Sequence, residues 1–353
     1  TIDAMYVDIS VRPAIVDGAL SFDDVTISVP DPDGLSVSIG SGLSSLASFI
    51  GIDIDTLVVE EMRSAVEDAV AGETDGMLEG ILGDFSIEET FEVSGMTYSL
   101  LAEPGSIDVD DDGMIMGFAT RVVTEEVLSA GAIDGVEDIP GFAWAAPDLE
   151  ADGSGVQMAL STDVLNQMMF AMWQGGLLDQ ELTADDLGVD PAVLALVFSD
   201  VDDLTIVTTP HLPPVFTPRE EDDTDAVYDL TIGSLAVEVY GGDPETSESV
   251  MSLYIATQVP VSLTVSDVEI GISLSTATVF ADMTYASPEV SLDAATIEPI
   301  FGGLLAEYIP DLTGDLSSIP MPSLDGFTIT IDSTRMGGGD SPPGFWIAEG
   351  SLD

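Results

Sequence analysis

Three alternating aspartates, Asp108-x-Asp110-x-Asp112, followed by Gly113, have the spacing that opens a calcium-binding loop. Alternate carboxylates can point their oxygens at one ion, and the glycine permits the sharp turn that gathers them. The bidentate acid closing such a loop would fall at position 119, which is Ala119. Calcium at Asp108, Asp110 and Asp112 therefore needs further ligands, and a plain turn between strands is the favoured reading. A denser run, Glu220-Glu221-Asp222-Asp223-Thr224-Asp225, could gather divalent cations loosely, but a solvated loop accounts for it.

The other reactive residue types are scarce. There is no cysteine, which removes disulfide frameworks, thiolate zinc sites and thiol nucleophiles. The one histidine, His211, stands beside Pro213-Pro214, where a structural role is expected. The 66 Asp and Glu offer so many carboxylate pairs that no single pair points to glycosidase chemistry. No Gly-rich phosphate loop opens a helix after a strand. The expectation is a protein without catalysis and without a resident cofactor, calcium aside.

Charge narrows the partners further. Five arginines and no lysine against 66 acids give a net charge of −61, while 45% of the 353 residues are apolar. Disorder requires low hydrophobicity along with high charge, so a folded chain is expected. Clustered Lys and Arg are what nucleic acid requires, so it is excluded as a direct partner, and the same arithmetic argues against unaided binding to anionic lipid headgroups. Acids fall evenly, 32 in residues 1–150 and 34 in residues 151–353. So even a negative field needs screening by salt or calcium, which predicts an extracellular or cell-envelope setting in a halotolerant bacterium.

No run reaches the ~18 apolar residues of a membrane helix. The chain opens on strand-like sequence with neither an initiator Met nor a signal peptide, so a processed or truncated product is expected.

Alternation predicts strands over most of residues 4–39, 91–123 and 204–285, with a closing pair near 327–331 and 345–347. Helical spacing predicts a long helix over about 56–82, carrying Gly72, Gly76 and Gly80 on one stripe. A second helix should start after Ser161 and Thr162, pass through Leu165, Met168, Met169 and Met172, and end at Gly175-Gly176. A short helix is predicted near 294–308. Residues 131–154, rich in Gly, Pro, Ala and Asp, look like a connector between domains 1–150 and 151–353. Each half pairs an amphipathic helix with a long antiparallel sheet, an α+β pattern.

The run from Met158 through Ser161-Thr162-Asp163 and Asn166 to Gly175-Gly176-Leu177-Leu178 resembles the opening of the C-terminal domain of the bactericidal/permeability-increasing protein family. His211-Leu212-Pro213-Pro214-Val215 and Ile319-Pro320-Met321-Pro322 with Phe327 resemble later segments of that domain, in order. The 56–82 helix, Met96–Leu100 and Met114–Phe118 resemble the second half of its N-terminal domain. This is the tubular lipid-binding (TULIP) superfamily.

The resemblance implies tandem super-rolled antiparallel sheets, each wrapped on a long helix, with an apolar groove holding lipid acyl chains. Met77, Leu78, Leu165, Met168, Met169 and Met172 are then the expected groove residues, methionine being soft enough to fit varied chains. The implied partners are a lipid or other apolar ligand, a membrane surface reached through divalent cations, and an envelope protein or further copies of the chain. Three departures stand out. The first module is expected to be incomplete, without its opening helix and strands, the family's mammalian disulfide has no cysteines here, and the basic tip that engages lipopolysaccharide is absent. The alternative expectation is an extracellular assembly subunit that reuses the fold.

Overall fold

A computed structural model describes residues 8–16, 19–28, 87–93, 95–109, 114–132, 136, 138–139, 156–183, 186, 204–219, 226–265, 269–288, 290, 293, 295–296, 299–300, 318–320, 329–336 and 344–352. The predicted helices over 56–82 and 294–308, the turn at 110–113 and most of the 131–154 connector lie wholly or mostly outside them. The chain forms two compact units, one of residues 1–86 and 103–119, the other of residues 87–102 and 120–353.

In the first unit, β1 (Asp8–Val16) and β2 (Ala19–Ser28) pair as an antiparallel hairpin. Val16 faces Ala19 across a two-residue connection, and the register slips between Ser10 and Arg12.

The second unit is mostly antiparallel sheet around one described helix. The strands β3 (Ile87–Val93), β4 (Met96–Val109) and β5 (Met114–Thr124) make a three-stranded sheet, and β4 and β5 each contribute residues to both units. After β6 (Val156–Ser161) comes the helix α1 (Thr162–Gln174), then β7 (Gln180–Thr183), β8 (Thr205–Pro210), β9 (Val215–Pro218), β10 (Tyr228–Tyr240) and β11 (Ser249–Val265). The chain continues through β12 (Glu269–Leu274), β13 (Thr278–Ala286), β14 (Ser318–Pro320), β15 (Ile329–Met336) and β16 (Phe345–Leu352). The order β14-β12-β11-β10-β8-β7 defines an eight-stranded sheet, with β13 added to β11 and β9 to β10. A smaller sheet runs β15-β16-β6.

Two irregularities let the strands grow longer than alternation alone predicts. Ile232 and Leu235 both face the core although three positions apart, which alternation forbids unless a bulge intervenes. Ser234, at φ 54°, supplies it and joins two apolar runs into β10. In β11, Pro260 sits mid-strand without an N–H. Its carbonyl accepts from Ser275 N at 2.9 Å, at the gap where β11's neighbour changes from β13 (last pair Gln258↔Thr278) to β12 (first pair Val261↔Leu274). The missing donor therefore faces no ladder.

The sheet's inner face divides between two cores. One gathers α1 with Tyr228, Leu230, Val259, Val261 and Trp346. The other joins Ile206, Val237, Val239, Met251, Leu253 and Ile255, with Val290 and Ile300 packed against it. Among the described residues no helix is long and apolar enough to cross a membrane.

Candidate apolar seam around the central helix

The ends of α1 are set by local chemistry. Ser161, extended at φ −72° and ψ 142°, accepts from Asp163 N at 3.2 Å and caps the first turn. Asp163 adds a negative charge where the helix dipole is positive. The Thr162 hydroxyl donates to the Gly344 carbonyl at 2.9 Å, tying the helix start to the approach to β16.

At the other end, Leu177 N reaches Met172 O at 3.0 Å and Gly176 N reaches Trp173 O at 3.0 Å, a Schellman closure. Gly176 takes the left-handed φ of 85° that this closure requires. Gly175 is needed for a different reason: a Cβ there would stand 2.7 Å from the Tyr98 hydroxyl. Leu128 N and Ser129 N both donate to Gln174 O, at 2.9 and 3.0 Å, so the segment after β5 finishes the cap.

Between its ends α1 is buried almost all round, with eleven of its thirteen residues inside. Leu165, Met168, Met169 and Met172 all fall in one cluster with Val93, Tyr98, Val122, Phe216, Tyr228 and Trp346. The structure thus brings four of the six expected groove residues together. Met77 and Leu78 lie outside the described residues.

The seam also holds polar groups. Asn166 clasps the backbone of Phe216, accepting from its N–H at 2.7 Å and donating to its carbonyl at 3.2 Å. The Trp173 indole N–H donates to Pro210 O at 3.0 Å. Gln174 donates to Val136 O. Gln167 and Gln174, seven positions apart and so on one stripe, each keep a buried Oε1 without a partner among the described residues, as does the Tyr98 hydroxyl. An amide within an otherwise apolar helical run was the available signal for these residues.

Replacing Asn166 by Ala should strand both polar groups of Phe216 and cost about 2–4 kcal/mol. Calorimetry should show this as a lowered Tm, while an unchanged Tm would mean that β9 is held by its strand pairing alone.

Burial pushes the Tyr98 hydroxyl up to about 12. Burial does the same for Tyr228, also to about 12. The folded state holds these two protons more tightly than the unfolded chain, whose tyrosines titrate near ~10. That contribution to stability is complete below pH ~10 and is lost as pH climbs towards about 12. Ultraviolet titration should therefore show at least two of the seven tyrosines ionising only as the chain unfolds. All seven ionising together near ~10 would contradict this burial.

The other predicted site residues lie elsewhere. Asp108 ends within β4, while Asp110, Asp112 and the run 220–225 lie outside the described residues. Among those described, no group of three or more His, Asp or Glu is placed to hold a metal ion. His211 is exposed, its ring 5.7 Å from that of Tyr254. Of the arginines, Arg121 pairs with Asp138, Arg219 with Asp229 at 3.0 Å, and Arg335 with Glu349 at 2.9 Å.

The unit is therefore a predominantly antiparallel β protein with a buried central helix. No protein-family model matches the chain, and no curated protein matches it. Among solved structures, a crystal structure of lipopolysaccharide binding protein is similar over 100% of this chain and 75% of that one, at 13% identity and a TM-score of 0.49. A score at that level leaves the reading of the seam to its own residues.

Proposed function

We propose that this chain is a non-catalytic lipid-binding or lipid-carrier protein of an extracellular or cell-envelope compartment, holding acyl chains along the seam of α1. The observation that carries this reading is the enclosure of a methionine-rich helix on nearly every side. Three methionines within five positions give a wall that can repack around chains of different length and unsaturation. Each buried methylene contributes ~0.8 kcal/mol, so about ten offset the cost of ordering a ligand. The unpartnered oxygens of Gln167, Gln174 and Tyr98 would address the polar end of such a ligand.

The sequence resemblance to the tubular lipid-binding superfamily supports the same reading and extends it to two tandem modules, 1–150 and 151–353. A charge of −61 would keep the carrier off bare anionic membrane, with calcium, held in part by Asp108, Asp110 and Asp112, bridging to headgroups. Titration with a fluorescent fatty-acid analogue tests it. Saturable binding displaced by unlabelled phospholipid is expected; a flat titration would count against it.

A second reading, an extracellular assembly subunit, is favoured by one observation. Among the described residues, β13 pairs with β11 on one side and with no strand on the other. Ordered oligomers in light scattering would favour this reading, and a monomer at high concentration with and without calcium would remove it.

A further inference from the structure

The inner face of the eight-stranded sheet is absorbed by the two cores, but its outer face carries residues that folding does not explain. Along β11 the side chains of Met251, Leu253, Ile255 and Val259 point inward, so Ser252, Tyr254, Ala256 and Gln258 point outward. Register carries that face onto β13. Tyr254 lies opposite Asp282, Ala256 opposite Phe280, and Ser252 opposite Tyr285. Phe280 is 58% exposed, Tyr285 49% and Tyr254 41%. Three exposed aromatic rings therefore surround one exposed carboxylate, with Phe280 and Tyr285 on the diagonals from Tyr254, within aromatic reach of it.

Arg219 is ion-paired with Asp229 farther along β10 and the His211 ring stands 5.7 Å from that of Tyr254, but around Asp282 itself the charge is negative. Strands β8, β10, β11 and β13 contain no arginine and the chain contains no lysine. Glu238 of β10, opposite Ser252, adds a second outward carboxylate, hydrogen-bonded by the Tyr240 hydroxyl at 2.7 Å. The ring faces are the negative side of the aromatic quadrupole, so rings and carboxylates attract the same species, an organic cation.

We propose that the outer face of β11 and β13 docks an extended Lys- or Arg-bearing segment of a partner protein, its cationic side chains seated among Tyr254, Phe280 and Tyr285 against Asp282. Alternate side chains of an extended segment match the two-residue spacing of the sheet, and the edge of β13 that has no partner strand among the described residues can pair with its backbone. A second copy of this chain is a poor occupant, because its five arginines stand singly and it has no lysine. A phosphocholine surface is disfavoured too, since each headgroup would bring a phosphate against Asp282 and Glu238. A basic segment gains on both counts, and the field of the whole chain steers it in.

Calorimetric titration of the full chain with a ten-residue peptide alternating Arg and Thr tests this at physiological salt. Saturable one-to-one binding is expected. It should be weakened about ten-fold by the double variant Tyr254→Ala/Phe280→Ala, whose side chains are exposed and whose Tm should hold. Asp282→Asn should weaken it more than Glu88→Gln, which removes the same charge from exposed β3. Equal losses in those two variants would overturn the proposal, reducing the effect to general attraction by a polyanion. Absence of saturation would overturn it, as would phosphatidylcholine vesicles binding in its place and losing that binding in the double variant.

Discussion

Replacing Trp173 by alanine should cost the second unit a large part of its stability. Trp173 is among the largest fully enclosed side chains, its ring 5.5 Å from Phe170. Removing it opens a cavity worth about 3–5 kcal/mol. Its indole N–H also satisfies the Pro210 carbonyl at the end of β8, and orphaning that oxygen costs about 1–3 kcal/mol more. Against a total stability of roughly 5–15 kcal/mol, a sum of about 4–8 kcal/mol takes from about a quarter to all of what there is. At about 2–4 °C per kcal/mol, Tm should fall by at least about 10 °C.

Trp173→Phe separates the two parts, since it keeps most of the packing and removes only the donor. Differential scanning calorimetry should place it between wild type and Trp173→Ala. Two equal, small shifts would show that the helix does not organise this core.

Stability should also depend strongly on salt. The accessible surface of 20155 Å² shared among 66 acids leaves about 305 Å² each, a mean spacing of about 17 Å, which lies between the Debye lengths of ~8 Å at physiological ionic strength and ~30 Å at 0.01 M. In dilute buffer every carboxylate feels several neighbours, and only five arginines offset them. Unfolding spreads the charges and relieves the repulsion, so low salt favours the unfolded chain. Lowering NaCl from 1 M to 0.01 M should cost several kcal/mol, or roughly 10 °C in Tm. A flat profile would show that the acids are already neutralised within the fold. Calcium at matched ionic strength should act like NaCl if it only screens. A rise that saturates well below that concentration would assign it a bound site.

How far the sequence reached depended on whether a signal was local. The bounds of α1 were legible because Ser161 caps one end and Gly175-Gly176 close the other. Of the eight-stranded sheet, β8 to β13 fall within the range that alternation marked, while the short β7 and β14 do not, and the continuity of the long strands was not legible. A bulge at Ser234 breaks the parity within β10, and buried Thr257 with Pro260 interrupts the apolar series of β11, so each long strand read as two runs.

Within the seam, Leu165, Met168, Met169 and Met172 could be named from helical spacing. The partners of Asn166 and Trp173 could not, because Phe216 lies 50 positions and Pro210 37 positions along the chain. The need for Gly175 was equally hidden, since it arises from Tyr98 on a strand in another sheet.

Lipid carried in the seam of α1 should travel with the purified protein, where native mass spectrometry, organic extraction and lipid identification will detect it. Discrete mass increments matching one or two lipids per chain, with the same lipids in the extract, are the predicted result. A bare polypeptide mass, unchanged after incubation with phospholipid and fatty acid, would contradict it.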